Sequence, residues 1–158
     1  SPKTLTYSKK IHQIITSNEK QQGAALYIDY GPADTIPINT LRGIKDHAIV
    51  SPLVNPGTVD LSADVDFQGI KVLLENLGGV DVHGPVEQGD WLNEVGMQYR
   101  AEHLINKRKN DADKERILKS NIRLVDKSDD GMGKTYKVMG ILPKGTTKPV
   151  GFGGPVSE

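Results

Sequence analysis

Five apolar or aromatic residues in succession, Ala24-Ala25-Leu26-Tyr27-Ile28, stand between Gly23 and the polar close Asp29-Tyr30-Gly31. An unbroken run of this length, without polar alternation, is the pattern of a short strand buried on both faces, as in a parallel sheet covered by helices. It predicts an α/β fold. In open α/β sheets ligands collect beyond the carboxyl ends of the strands. Asp29 and Tyr30 therefore emerge where a site is expected.

A helix precedes this strand, because Ser8 to about Ser17 sets Ile11, Ile14 and Ile15 at helical spacing against Lys9, Lys10 and Gln13. A helix entering a buried strand is half of an α/β unit, so the chain reads as one that opens in the middle of a fold. Gly31 to Leu61 then holds four prolines (Pro32, Pro37, Pro52, Pro56) and three glycines (Gly31, Gly43, Gly57). That punctuation predicts a long ordered loop with a short strand at His47 to Val50, and loops beyond about 12–15 residues are often functional.

Asp66 is placed to cap a helix carrying Phe67, Ile70, Leu74 and Leu77 on one face and stopped by Gly78-Gly79. Val80-Asp81-Val82 reads as a strand broken by Gly84-Pro85. Two helices follow, Gly89 to Val95 and Met97 to about Lys107, divided by Gly96. A further helix spans Asp111 to Val125, with Asp111 or Asp113 as cap and Leu118, Ile122 and Val125 as its buried stripe. Tyr136 to Leu142 is the last strand, stopped by Pro143, and residues 143–158 read as a flexible tail with Phe152 as an anchor. Residues 1–158 form one domain.

Composition removes several classes of function. Lys plus Arg and Asp plus Glu both number 20, whereas a surface that neutralises phosphates carries a basic surplus, so no nucleic acid is expected. Lys107-Arg108-Lys109 reads as a solvated helix end. Without cysteine there is no disulfide framework, thiolate zinc site or cysteine nucleophile. His12, His47, His83 and His103 lack metal-ligand spacing, so no metal is expected. No apolar run approaches the roughly 20 residues of a membrane helix, and no targeting segment is visible. Gly131-Met132-Gly133-Lys134-Thr135 echoes a phosphate loop, but Ser128 stands where its first glycine belongs and a strand follows instead of a helix.

The candidate chemistry is carried by acids and by groups at strand ends. Asp29 either orients a cationic or hydroxylated ligand or caps a turn. Asp64 points into a cleft while Asp66 caps its helix. Arg42-Gly43 sets a guanidinium against an anionic group with close backbone approach, or forms a structural salt bridge with an aspartate. Gln88 bonds a substrate amide or holds its loop. Trp91 fits a core anchor.

Taken in order, Asp29-Tyr30-Gly31, Thr40-Leu41-Arg42-Gly43 with His47, Pro52-Leu53, Pro56-Gly57, the run from Asp60 to Phe67 and the run from Gly84 to Gly89 resemble the C-terminal half of the MidA-like methyltransferases. This is the family of a mitochondrial complex I assembly factor that methylates a protein arginine. The likeness runs from Gly23 to Leu92 and more weakly to Leu142. Family members often carry Asp where this chain has Asn39 and Ser51, and Phe where it has Trp91. Upstream they also carry a Glu-x-Gly-x-Gly-x-Gly strand-turn that holds S-adenosylmethionine, and no such motif occurs in these 158 residues.

The resemblance implies strands five to seven of a Rossmann-like class I methyltransferase sheet, with the long Gly/Pro-rich loop and added helices. S-adenosylmethionine would be bound mainly by the part upstream, leaving this piece on the acceptor side. Asp29, Asp64 and Glu87 are the implied catalytic carboxylates, and Tyr30, Arg42, Gly43, His47 and Gln88 the implied substrate-binding residues. The implied activity is symmetric dimethylation of a protein arginine, on a respiratory complex I subunit in mitochondria. The full-length protein would be active and the isolated piece inactive. The unpaired apolar edge of the Ala24–Ile28 strand would favour a homo-oligomer. A contrasting expectation is a non-catalytic assembly module that grips a partner subunit through the 31–61 loop.

Overall fold

The computed structural model describes residues 1–17, 22–34, 36 and 39–154. Its organising element is the last strand, β6 (Tyr136–Pro143), which lies between β1 (Ala25–Tyr30) and β5 (Val80–Glu87) in the order β1-β6-β5. Both pairings are antiparallel, with Ala25 opposite Ile141 on one side and Val82 opposite Ile141 on the other. The apolar run of β6 suits the middle of a sheet, and Val138, Met139 and Ile141 are fully buried.

The expectation of a parallel strand buried on both faces is therefore corrected for β1, which is an antiparallel edge strand. Its Ala25 and Tyr27 pack on the core, whereas Leu26 and Ile28 are each 48 % exposed on the opposite face. The cause is coverage. Helices α1 (Pro2–Thr16) and α2 (Phe67–Leu77) lie on one face only, where Ile15, Phe67, Ile70, Leu74, Met139 and Ile141 form the core. A contact between His12 Nε2 and the Gly78 carbonyl oxygen, 2.7 Å, joins the two helices. Ile14 and Leu77, expected on the apolar faces, point outward.

The segment from Gly31 to Leu61 is not a loop without regular structure. It contains most of a three-stranded antiparallel sheet of order β3-β2-β4, with β2 (Arg42–Lys45), β3 (Ala48–Val50) and β4 (Asp60–Ser62). Asp46 and His47 turn the chain between β2 and β3 with φ of 50° and 62°, the left-handed pair that a two-residue hairpin needs. Asn-Gly or Asp-Gly normally signals such a turn, and Asp-His hides it. Thr35, Pro37 and Ile38 of the predicted loop lie outside the described residues.

The expected ends of α2 stand. Asp66 caps α2, its Oδ1 accepting from the Gly69 N–H at 2.8 Å, and the helix stops at Gly78 with φ 68°. The strand at Val80 is not broken at Gly84-Pro85. That peptide is cis, the register shifts between His83 and Val86, and β5 continues to Glu87. Helices α3 (Gln88–Glu94) and α4 (Met97–Asn106) are divided at Gly96, as expected. In α5 (Asp111–Val125) the cap is Asn110, whose Oδ1 accepts from the Ala112 N–H at 2.9 Å. Asp111 and Asp113 instead bind Lys114 and Arg116. The stripe of α5 is also rotated: Leu118 and Ile122 are about half exposed, while Asn121 is buried. Phe152 is buried against Gly140 and Gly84.

Removing the α2 cap gives a direct test of this local assignment. Asp66→Ala should cost about 1 kcal/mol and Asp66→Asn much less, because asparagine still accepts the N–H bond. Urea unfolding checks this, with the midpoint falling and the slope unchanged.

Candidate functional site

The carboxyl ends of β1 and β5 meet the start of β6, and register decides which side chains share a row there. Asp29 stands opposite Lys137, which stands opposite Glu87, while Tyr30 is opposite Tyr136 in the next row. Directly opposed residues point to one face of a sheet, so two candidate carboxylates flank a lysine. Asp29 Oδ1 accepts from the Tyr30 N–H at 2.8 Å. No salt bridge engages Asp29 among the described residues.

Tyr30 ties the small sheet to the large one. Its hydroxyl shares a 2.6 Å hydrogen bond with Ser62 Oγ, and its ring meets Tyr136 edge-on at 5.7 Å. The Arg42 guanidinium lies 5.1 Å from the centre of the same ring. Arg42 Nη1 also reaches Asp64 Oδ1 at 2.8 Å and donates to the Thr40 carbonyl at 3.3 Å. Next to this cluster the Val65 N–H donates to the Tyr30 carbonyl at 3.0 Å. A Cβ on Gly31, where φ is 155°, would lie 2.5 Å from the Val65 carbonyl oxygen. Only glycine allows the two segments to cross so closely.

At the end of β5, Lys127 bridges Glu87 at 2.9 Å and Asp90 at 2.6 Å. Hydrogen bonds to Asp90 and then Glu87 raise its pKa. The neighbouring Gln88 is buried and donates from Nε2 to the Leu124 carbonyl at 2.9 Å, which fastens α3 to the end of α5. Gly43 sits inside the small sheet, where a Cβ would approach Val59 Cγ1 to 2.5 Å. His47 occupies the β2–β3 turn, three residues beyond the last residue opposite β4. The structure thus brings Asp29, Tyr30, Arg42 and Asp64 to one strand end and Glu87 to the same row. It leaves Gly43 and His47 in the small sheet and turns Gln88 inward.

Lys137 is the residue that sequence reasoning passed over. It is 8 % exposed, its Nζ donates to the Lys134 carbonyl, and burial pushes its pKa down. Glu87 opposes that shift and Lys134 adds to it. A signal was available, since Lys137 is in phase with Met139 and Ile141 and so interrupts the core face of β6. A cavity of about 270 Å³ opens there, lined by Gly31, Asp64, Lys127, Lys134, Thr135 and Lys137 among others.

With this geometry in view, the class of protein follows from comparison. A family model described as "Putative S-adenosyl-L-methionine-dependent methyltransferase" matches residues 1–86, more than half of the chain. The chain belongs to this methyltransferase family. Among named relatives, the mitochondrial protein arginine methyltransferase NDUFAF7 homologue of Caenorhabditis elegans is 31 % identical over 134 residues, covering 85 % of this chain and 30 % of the relative. The Drosophila melanogaster homologue is 34 % identical over 140 residues, with coverages of 89 % and 31 %. The mouse protein is 36 % identical over 121 residues, with coverages of 77 % and 27 %. The chain thus spans about 30 % of the length of these relatives. A crystal structure from Burkholderia thailandensis with S-adenosyl-homocysteine bound has a TM-score of 0.69 at 22 % identity, over 94 % of this chain and 37 % of that one. A second structure from the same organism gives 0.68 at 21 %. The α/β fold is shared with both.

The family's cofactor is S-adenosylmethionine, and the polar cavity beside Lys137 does not fit it on its own. The cavity is lined mainly by lysines, aspartates and small polar residues. It offers no apolar or aromatic wall for an adenine, and three lysines line it, a poor setting for a cationic ligand. Asp29 lines a separate hollow of about 440 Å³ with Ile11, Tyr27, Val65, Phe67 and Ile70.

Burial of Lys137 has a measurable consequence. Its folded pKa lies below the usual lysine value of 10.5, so at lower pH both states are protonated and the desolvation cost is fully present. As pH climbs from the folded value to about 10.5, the folded state sheds its proton first and stability rises relative to a chain without this group. Lys137→Met should abolish that rise. Chemical unfolding of both proteins at a series of pH values, read as the difference between them, checks it.

Proposed function

We propose that this chain is the acceptor-side part of an S-adenosylmethionine-dependent protein arginine methyltransferase. In this reading β1, β5 and β6 are strands five to seven of a Rossmann-like class I methyltransferase sheet. The observation that carries it is Asp29, a carboxylate at the carboxyl end of β1 without a salt-bridge partner among the described residues, in a chain related to named arginine methyltransferases. The arginine acceptor is always protonated, with a pKa above about 12 and a lone pair spread over the guanidinium. A fixed carboxylate therefore has two tasks, to orient the cation and to stabilise its proton loss. Asp64 and Glu87 already hold Arg42 and Lys127, so they act by shaping the field around Asp29. The cofactor supplies the methyl group and is bound mainly by residues outside this chain.

The names of the relatives support a protein arginine as acceptor and the mitochondrion as site of action, and the motif resemblance adds a respiratory complex I subunit as substrate and symmetric dimethylarginine as product. In the full-length protein Asp29→Asn should lower kcat/KM about a hundredfold, the scale of losing one oriented electrostatic contact in the transition state. Asp64→Asn should lower turnover less while leaving the fold near native. Methyl transfer to an arginine-containing substrate, run beside thermal melts, checks both, and full turnover by Asp29→Asn overturns the assignment. Isothermal titration with S-adenosylmethionine should give binding by the full-length protein and none by this chain alone. Micromolar binding by the chain would move the cofactor site onto this part.

A second reading, that the 31–61 segment grips a partner subunit without catalysis, is favoured by one observation. The small sheet and its flanks expose Ile49 (76 %), Leu53 (83 %) and Leu61 (65 %). A homo-oligomer through the open edge of β1 belongs with these proposals, since Leu26 and Ile28 are half exposed there. Cofactor binding by the full-length protein separates the enzyme from the scaffold.

A further inference from the structure

Helices α4 and α5 form an antiparallel hairpin joined by residues 107–110. Between them runs an apolar groove of about 420 Å³. One wall is Met97, Ala101 and Leu104, and the other is Ile117, Asn121 and Leu124. Each set follows the i, i+4, i+7 spacing of a single helix face. Ala101 makes the hollow, because a methyl stands where a longer side chain would fill the space between the helices.

Charge distinguishes this groove from an ordinary uncovered face. Arg100 and Arg116 also line it, one on each helix. Arg116 is held by Asp113 at 2.7 Å, whereas the Arg100 side chain has no ion-pair partner among the described residues. Residues 97–125 contain eight Lys or Arg (Arg100, Lys107, Arg108, Lys109, Lys114, Arg116, Lys119, Arg123) and four Asp or Glu (Glu102, Asp111, Asp113, Glu115). The whole chain is neutral, with 20 of each. The positive surplus is therefore local to the hairpin.

We propose that the α4–α5 groove is a docking site for an amphipathic helix of a partner protein that carries acidic residues beside its apolar stripe. The helix-in-groove mode presents anchors at i, i+3 or i+4 and i+7, and the walls from Met97 to Leu104 and from Ile117 to Leu124 are each two turns long, about 10 Å. Small or medium apolar anchors fill the hollow over Ala101. Acidic residues on the two flanks meet Arg100 and Arg116, the latter exchanging Asp113 for the incoming carboxylate. A basic or neutral helix has no counterpart for these cations. The groove is separate from the Asp29–Lys137–Glu87 row, and the inference does not depend on methyl transfer.

The probes are three synthetic amphipathic helices of about four turns with leucines at the anchor positions and Glu, Gln or Lys on the flanks. Fluorescence anisotropy gives affinity, and methyl NMR of Ala101, Leu104, Ile117 and Leu124 reports where each peptide sits. The Glu peptide should bind at these methyls and at least about fivefold more tightly than the Gln peptide, the effect of roughly 1 kcal/mol of exposed ion pairing. Arg100→Glu, a change at an exposed position, should reverse the preference toward the Lys peptide. Ser120→Trp, which also lines the groove from an exposed position, should block all three. Methyl shifts elsewhere, equal affinity for the three peptides, or no binding at about 1 mM, the weak limit of specific association, each overturns the proposal. Far-ultraviolet circular dichroism confirms that both variants remain folded.

Discussion

The insertion of β6 between β1 and β5 is the constraint on which the rest of the molecule depends. It is the final strand of the chain, yet it supplies the hydrogen bonds on both sides of the sheet and the most buried side chains of the core. Ala25 pairs with Ile141 across more than a hundred intervening residues. Until that strand is in place, β1 and β5 have no common partner and the helices α1 and α2 have no floor to pack on. Long-range pairings of this kind cost loop-closure entropy before any contact offsets it. The same insertion creates the candidate site, because only β6 brings residues 29, 87 and 137 into one row.

That row is best understood by asking which charges are already satisfied. Asp64 holds Arg42, and Glu87 and Asp90 hold Lys127. Each of these pairs also fastens one structural segment to another, β2 to the segment between β4 and α2, or the turn after α5 to β5 and α3. Lys137 is buried and spends its donor on a backbone carbonyl of its own turn. Asp29 alone among the three candidate acids has no ion-pair partner among the described residues. Chemistry at this end of the sheet is thus a property of how the surrounding pairs are spent. A substitution at Arg42 or Lys127 would act through the acid it releases, even though neither residue need touch a substrate.

How far the sequence could be read depended on whether a feature was local. The Asp66 cap, the Gly78 stop and the division at Gly96 rest on short-range rules, and each stands where those rules place it. Of the small sheet only the strand at His47 to Val50, observed as β3 (Ala48–Val50), is legible; β2 and β4 have three or four residues and the tight turn is Asp46-His47, which lacks the usual glycine. The strand Ala25–Tyr30 was recognised, but its apolar run could not reveal whether helices covered both faces, and here they cover one. In α5 the inward stripe is Ile117, Asn121 and Leu124, one residue out of phase with the expected Leu118, Ile122 and Val125. At the site, the motif series led to Tyr30, Arg42 and Asp64, which come into contact, and to Asp29, which stands beside them at the end of β1 with its side chain on the alternate face. Lys137 escaped because a lysine in a strand is usually read as solvent-facing, and only register with Met139 and Ile141 places it inside.

The exposed face of β1 carries a further physical consequence. Leu26 and Ile28 lie half uncovered on an edge strand whose outer hydrogen-bonding groups have no sheet partner among the described residues. A flat apolar edge is a template for another strand, and the relatives extend well beyond the region this chain matches. The open edge of β1 thus has the backbone groups to accept a further strand. A strand added there would pair the edge and flank Leu26 and Ile28, but these side chains project from the sheet face and are covered only by a layer packed on that face. Edge pairing and face covering at β1 are therefore two separate requirements, and both fall within one residue of Asp29.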